Sequence, residues 1–123
     1  MCKVNTMSID NRSFKVADLK RKYMKNIVES AKKCDYIVRI VLFGSSIDER
    51  CTEQSDIDLA IFGVQNRSKV LTSKKFDMFA KQLYLFDGCK QSYDLLYFKE
   101  DSKNEGRILE EIKKGEILYE RQQ

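Results

Sequence analysis

The sequence reads IVRIVLFGS over residues 37–45 and, after ten further residues, DIDLAIF over residues 56–62. Both stretches hold short apolar runs rich in β-branched and aromatic residues, which favours strands over helices. Gly44 and Ser45 therefore end one predicted strand, and Asp56 and Asp58 open the next. A glycine turn and two carboxylates between neighbouring strands decide both the predicted fold and the candidate site.

Hydrophobic periodicity elsewhere predicts three amphipathic helices and a third strand. In chain order these are a helix over 14–33 capped by Ser13, a helix spanning about 71–83, a strand over 93–98 and a helix over about 104–114. Residues 1–12 are polar and are predicted to be a flexible N-terminus, whereas residues 116–119 are predicted to pair or pack at the sheet edge. The elements predict a single α/β (α+β) domain over residues 13–123, with a small mixed β-sheet that carries helices on one face and leaves the other face for a site.

Composition excludes several classes of function. The 123 residues suit one compact domain, and the chain has no histidine, which removes Ser-His-Asp and Cys-His nucleophilic sites and leaves proton transfer to carboxylates or water. No apolar run reaches 18 residues and the first residues do not resemble a signal peptide, so a cytoplasmic protein without membrane association is predicted.

The cysteines and the net charge give weaker indications. Cys2, Cys34, Cys51 and Cys89 are widely spaced without a CxxC pair, so reduced thiols are predicted in place of a zinc site or a disulfide. The net charge of +4 comes from mixed charges and not from a basic block, so nucleic acid is not a predicted partner.

The carboxylates suit divalent cations. Side chains alternate along a strand, so Asp56 and Asp58 should project to one side about 7 Å apart and could share Mg²⁺, which prefers carboxylate and phosphate oxygens. Two such ions activate an attacking hydroxyl and stabilise the leaving group in phosphoryl transfer, and a third carboxylate completes such a site. Asp94 is the candidate because it opens the third strand in the same way.

Gly44 allows close approach of a triphosphate, while the Ser45 and Ser46 amides could donate hydrogen bonds to its oxygens. Each feature also has an ordinary structural interpretation. An isolated Asp-X-Asp more often marks a turn or a strand start than a metal site, and Asp94 could equally make a local hydrogen bond. The joint pattern between two strands is what favours a site.

Residues 42–45 and 55–59, with their fixed separation, resemble the GSx10DxD signature of the minimal nucleotidyltransferases (MNT) of the DNA polymerase β superfamily. The segment 112–119 is also similar to the way such small proteins end. The resemblance implies a polymerase β-like fold and Mg²⁺-dependent transfer of NMP, commonly AMP from ATP, to a hydroxyl. It assigns Gly44, Ser45 and Ser46 to the nucleotide, and it assigns Asp56, Asp58 and Asp94 to catalysis and two metal ions.

Stand-alone proteins of this kind resemble the antitoxin half of a toxin-antitoxin pair, in which a tyrosine of a HEPN-domain ribonuclease is the acceptor. This partner is implied by the resemblance alone, and a homodimer is the alternative. The chain departs from the pattern at Ser46 and Asp48, where basic residues are common. Arg50, Arg39 or a lysine from elsewhere in the chain would have to replace the missing cation. Three alternatives stay open: a catalytically weak binding protein, an RNA nucleotidyltransferase and an aminoglycoside nucleotidyltransferase.

Overall fold

The computed structural model describes residues 2–100 and 106–121. These ranges form an N-terminal hairpin, a four-stranded sheet and four helices. The elements are β1 (Val4–Ile9), β2 (Arg12–Ala17), α1 (Arg21–Lys32), β3 (Ile37–Phe43), β4 (Ile57–Gly63), α2 (Arg67–Leu71), α3 (Lys74–Leu85), β5 (Tyr93–Lys99), α4 (Arg107–Lys113) and β6 (Glu116–Glu120).

The main sheet is mixed and has the strand order β5-β4-β3-β6. The central strands β3 and β4 pair antiparallel, β6 pairs antiparallel with β3, and β4 pairs parallel with β5. A parallel pair requires a crossover connection, which α2 and α3 supply between β4 and β5. The predicted third strand and the predicted edge pairing of residues 116–119 are both confirmed, and so is the small mixed α/β fold.

The larger hydrophobic core lies on one face of the sheet, where α1, α3 and the hairpin pack against alternate strand residues. Its fully buried members include Phe14, Ile27, Phe79 and Leu83 from the covering elements and Ile40, Leu42, Leu59 and Ile61 from the sheet. The predicted helical layer on one face therefore consists of α1 and α3.

A smaller core lies on the opposite face of the sheet. Val41, Phe43, Ala60 and Phe62 contribute strand side chains, and Ile112 of α4 packs against them. The face that was predicted to be open is therefore partly covered, because α4 buries its apolar side there. At the end of this face where β4 and β5 begin, Asp94 is exposed and Asp58 is partly exposed.

Two N-terminal predictions were wrong. Residues 4–9, predicted as irregular, form β1, and residues 13–17, predicted as the cap and first turn of a helix, form β2 together with Arg12. Asp10 and Asn11 both have positive φ angles, 52° and 66°, which is the backbone of a two-residue turn that matches strand twist. Phe14 and Val16 alternate with Ser13 and Lys15, so the true period in this segment is two.

The helix predicted over 14–33 is consequently shorter and begins at Arg21. The second predicted helix is divided in two, because the Ser73 side chain accepts a hydrogen bond from the Phe76 amide and starts α3 anew. Leu71 falls in α2 and is 46% exposed, contrary to its predicted inward position. The third helix is described from Arg107 onward, and its predicted start at 104 lies outside the described residues.

We expect Phe14→Ala to destabilise the protein by about 3–5 kcal/mol, because Phe14 is only 2% exposed and its loss leaves a cavity under the hairpin. Urea unfolding followed by circular dichroism measures the change. The matched control is Ser13→Ala, which removes an exposed hydrogen bond between the Ser13 and Ser8 hydroxyls. This substitution should lower the free energy of unfolding by less than about 1 kcal/mol. Equal costs for the two variants would mean that the hairpin does not belong to the core.

Candidate functional site

The turn after β3 depends on Gly44. Its φ angle of +74° lies in the left-handed region, and residues Gly44–Ile47 form a short 3-10 turn. A Cβ atom on Gly44 would overlap Oδ2 of Asp58, which lies opposite Phe43 in the antiparallel pairing of β3 with β4. Glycine is therefore required both by backbone conformation and by the closeness of the Asp58 carboxylate.

The two serines of the turn differ in their surroundings. Ser45 is partly exposed, whereas Ser46 is completely buried and its Oγ has no hydrogen-bond partner in the structure. Because no part of Ser46 is exposed, a ligand at the surface would not contact this residue in this structure. Ser45 is the serine whose side chain is placed to reach such a ligand.

The parallel pairing of β4 with β5 places Asp58 directly opposite Asp94. Adjacent strands lie about 4.8 Å apart, and residues that share a register position project from the same face. That face is the one that carries Ala60 and Leu96, since side chains alternate along both strands. Asp56 precedes β4 and is exposed, so the carboxylate that is partly buried is that of Asp58.

Burial, together with the neighbouring negative charges of Asp94 and Asp56, raises the pKa of Asp58 to about 6. Both causes disfavour the ionised form, because the group is partly removed from water and faces like charges. Within residues 2–100 and 106–121, no lysine or arginine forms an ion pair with any of the three aspartates. Among the described residues, the site is an acidic cluster without a salt bridge, and the cation whose charge acts on it is Lys20, through Asp56.

The three aspartates do not form a closed metal cage by themselves. Among the described residues, no group of three histidine, cysteine, aspartate or glutamate side chains is close enough to hold a metal ion. A cation at this site would therefore draw part of its coordination from other oxygen atoms, supplied by a ligand or by water.

The cations that sequence reasoning considered as replacements lie elsewhere. Arg50 forms an ion pair with Asp48 at 2.9 Å, and its side chain is 78% exposed. Arg39 pairs with Glu100 at 2.9 Å and lies over the ring of Phe62, four register positions along β4 from Asp58. Arg39 therefore lies at the end of the strands that is far from Asp58. Arg50 is already paired with Asp48, which stands where a basic residue is common in the family pattern.

Sequence reasoning missed two buried polar residues beside the carboxylates. Lys20 is 1% exposed and Gln91 is 4% exposed, and the ammonium of Lys20 donates a hydrogen bond to Gln91 Oε1 at 2.7 Å. Burial lowers the pKa of Lys20, and the charges of Cys51 and Asp56 oppose that effect. No signal in the sequence distinguishes Lys20 from the exposed lysines around it, because its partners, the Glu53 carbonyl and Gln91, are far from it along the chain.

Comparison with known families adds an independent finding. The family described as "Polymerase beta, Nucleotidyltransferase" matches residues 25–123. A search of curated proteins gives no match. None of the helices in the described ranges has both the length and the apolar character needed to cross a membrane.

We expect Gly44→Ala to destabilise the protein more than Gly88→Ala. Gly88 has a similar φ angle of +66° but open space around its Cα, so alanine there incurs only the backbone cost of about 1 kcal/mol. At Gly44 the added methyl group must also displace the Asp58 carboxylate, which should add at least about 1 kcal/mol. Urea unfolding measures both changes.

The double variant Gly44→Ala/Asp58→Ala isolates the contact. Removing the Asp58 carboxylate should abolish the excess cost of Gly44→Ala, which gives a coupling energy of about 1 kcal/mol or more. Additive effects would show that Gly44 and Asp58 do not touch.

Asp58→Asn should stabilise the folded protein at alkaline pH in the presence of a chelator. The folded state keeps the Asp58 proton up to about pH 6, whereas the unfolded chain releases it near its ordinary pKa. The folded state thus binds more protons inside this window, and the unfolding free energy of the wild type falls as the pH rises through it. Because Asp58 is partly exposed, solvent screening reduces the expected gain to about 1 kcal/mol.

The measurement is urea unfolding of both proteins on either side of this window. The stability difference between Asp58→Asn and wild type should grow in favour of the variant from acidic to alkaline pH. Asp77→Asn, on the exposed surface of α3, gives the reference for losing one negative charge. A difference that is constant with pH would contradict the raised pKa of Asp58.

Proposed function

The chain belongs to the polymerase β nucleotidyltransferase family, and we propose that it transfers AMP from ATP to a hydroxyl with the help of Mg²⁺. The acceptor we propose is a tyrosine of a HEPN-domain toxin, which would make the chain the antitoxin of the pair. Membership of the family supports nucleotidyl transfer in general. The choice of AMP, of tyrosine and of this partner follows the resemblance of the Gly-Ser and Asp-X-Asp motif to stand-alone antitoxins.

The observation that carries the proposal is the pairing of Asp58 with Asp94 beside the Gly44 turn. A partly buried carboxylate whose pKa is raised to about 6 by burial and by two acidic neighbours is unfavourable for stability. Perturbed carboxylates without a cationic side-chain partner are typical of functional sites that receive a cation from outside the chain.

The donor set fits Mg²⁺. Asp58 and Asp94, with Asp56 at the rim, offer the hard carboxylate oxygens that this ion prefers, and phosphate oxygens and water would supply the remaining ligands. When bound, the ion would neutralise negative charge that develops on the phosphates during transfer.

In this proposal the triphosphate lies along the Gly44 turn, where the missing side chain permits close approach and the Ser45 hydroxyl can donate a hydrogen bond. The acceptor hydroxyl oxygen attacks the α-phosphorus, and an oxygen–phosphorus bond forms as the bond to the bridging oxygen breaks. Pyrophosphate leaves with the electron pair. Asp94 takes the hydroxyl proton, since no histidine exists in the chain to do so.

The Asp48–Arg50 ion pair favours a second candidate, a binding protein in which catalysis is weak. Asp48 is partly exposed beside the Gly44 turn. It forms an ion pair with Arg50, which is the first cation after the Gly-Ser motif. Triphosphate binding would then lack the basic side chain that commonly follows the Gly-Ser motif, and neutralisation of a partner would rest on surface contacts. Transfer measurements distinguish the two candidates.

The test incubates the purified chain with each of four labelled nucleoside triphosphates, Mg²⁺ and a HEPN-domain protein encoded beside it. We expect label from ATP to appear on a tyrosine of the partner, identified by mass spectrometry. Asp58→Asn and Asp94→Asn should each reduce the rate by about a hundredfold or more, because they remove the proposed metal ligands and the proton acceptor. Asp77→Asn on α3 is the matched control and should keep the wild-type rate.

The outcomes separate the alternatives. If the chain binds the partner tightly without transferring label, and Asp58→Asn binds it equally tightly, the second candidate function, a binding protein, is supported and the enzyme is not. Label on added RNA or on an aminoglycoside, with none on the partner, would keep nucleotidyl transfer and overturn the proposed acceptor.

A further inference from the structure

Lys20 and Gln91 form a buried polar pair at the end of the sheet where β4 and β5 begin. Burying an ammonium group is costly unless it is hydrogen-bonded, and the described parts of the chain give Lys20 no carboxylate within ion-pair distance. Its partners are instead neutral oxygens, the Glu53 carbonyl at 3.3 Å and Gln91 Oε1 at 2.7 Å. A hydrophobic residue would fill this position at lower cost, so the pair calls for an explanation beyond packing.

The side-chain amide of Gln91 connects the chain segments that lead into β4 and β5. Its Nε2 donates hydrogen bonds to the carbonyl of Ser55 at 2.9 Å and to the carbonyl of Ser92 at 2.7 Å. Ser55 precedes Asp56, and Ser92 lies two residues before Asp94. One side chain therefore holds both chain segments immediately before their carboxylates.

Lys20 fixes the orientation of this amide. Since the ammonium is only a donor, it must face the amide oxygen, and Nε2 is then turned toward the two carbonyls. Both hydrogens of Nε2 are used, so a rotation of the amide would lose all three hydrogen bonds. The lysine acts on the strands only through the glutamine.

The hydrogen bonds from Gln91 to Ser55 and Ser92, called the bridge below, oppose the repulsion between the aspartates. Asp58 and Asp94 are opposite each other and Asp56 is near, so their charges tend to separate the starts of β4 and β5. At this end the backbone amide of Ile57 donates a hydrogen bond to the Ser92 carbonyl at 3.1 Å. The side-chain Nε2 of Gln91 donates to the same carbonyl. The side chain thus reinforces the first hydrogen bond between the two strands.

We propose that Gln91, oriented by Lys20, is a positioning residue that fixes the separation of the Asp58 and Asp94 carboxylates for cation binding. This inference rests on the proposed nucleotidyl transfer, which gives the spacing its function. In this account both residues act on the carboxylates through the strand starts and not on the substrate, since each is less than 5% exposed.

Gln91→Glu is the decisive variant. It keeps an oxygen for Lys20 and forms an ion pair with it, but it has no hydrogens to donate to Ser55 and Ser92 and repels their carbonyls. We expect hydrogen exchange at the Ile57 amide to become roughly tenfold faster or more, in excess of any change at the Leu59 and Ile61 amides, which serve as internal references for global destabilisation. Gln91→Leu should show the same loss at Ile57, and Gln91→Glu carries the test if the leucine variant does not fold.

The second readout is the affinity for Mn²⁺ as a probe cation, measured by electron paramagnetic resonance without nucleotide. Gln91→Glu should bind Mn²⁺ roughly tenfold or more weakly than wild type, although its added negative charge alone would strengthen binding. Gln54→Glu adds the same charge to the exposed loop before Asp56 without touching the bridge, and it is the matched control. Its affinity should equal or exceed that of the wild type.

The two readouts distinguish the failures. If Gln91→Glu and Gln54→Glu give the same Ile57 exchange rate, the bridge does not hold the strands and the inference is overturned, whatever the cation affinity. If the wild type and Asp58→Asn bind Mn²⁺ equally, the proposed function loses its cation site, while faster exchange at Ile57 would still support the bridge.

Discussion

The in-register parallel pairing of β4 with β5 is the constraint on which the rest of the structure depends, because it sets Asp58 opposite Asp94. The pleat then sends both side chains to the face that carries Ala60 and Leu96 and sends Leu59 and Ile61 into the larger core. A slip of one residue would reverse this assignment and bury an aspartate among the apolar residues of α1 and α3. The hydrophobic core therefore enforces the position of the acidic pair.

This arrangement stores unfavourable electrostatic free energy at the end of the sheet. Burial and two acidic neighbours hold the pKa of Asp58 near 6, and the turn at Gly44 brings backbone up against its carboxylate. The rest of the fold outweighs that cost through the continuous core beneath the sheet and through hydrogen bonds to the strand starts. A local conflict of this kind, in an otherwise consistent fold, is where function is expected.

Much of the fold could be predicted because the signals are local. The apolar runs of β3 and β4, the strand beginning at Tyr93 and the edge strand β6 were all recognised from composition and period. The hairpin was missed because the alternation around Phe14 is short and the Asp10-Asn11 turn lacks the usual glycine. A run of helix-compatible spacing into α1 then extended that helix too far.

The site was predicted in part for the same reason. Motif spacing identified Gly44, Asp56 and Asp58, and the strand start suggested Asp94, but their relative positions depend on long-range pairing that spacing does not encode. The burial of Ser46, the engagement of Arg50 by Asp48 and the Lys20–Gln91 pair are all tertiary properties. A lysine whose hydrogen-bond partners lie 33 and 71 residues away carries no mark in the sequence itself.

The central claim is that Asp58 and Asp94 hold a cation together with the phosphates of a nucleotide at the Gly44 turn. A crystal structure of the chain with Mg²⁺ and a non-hydrolysable ATP analogue tests it most directly. The account predicts a metal ion that contacts both carboxylates and a triphosphate whose oxygens lie against residues 44 and 45. A triphosphate bound elsewhere, or an Asp94 side chain on the opposite face of the sheet, would contradict it.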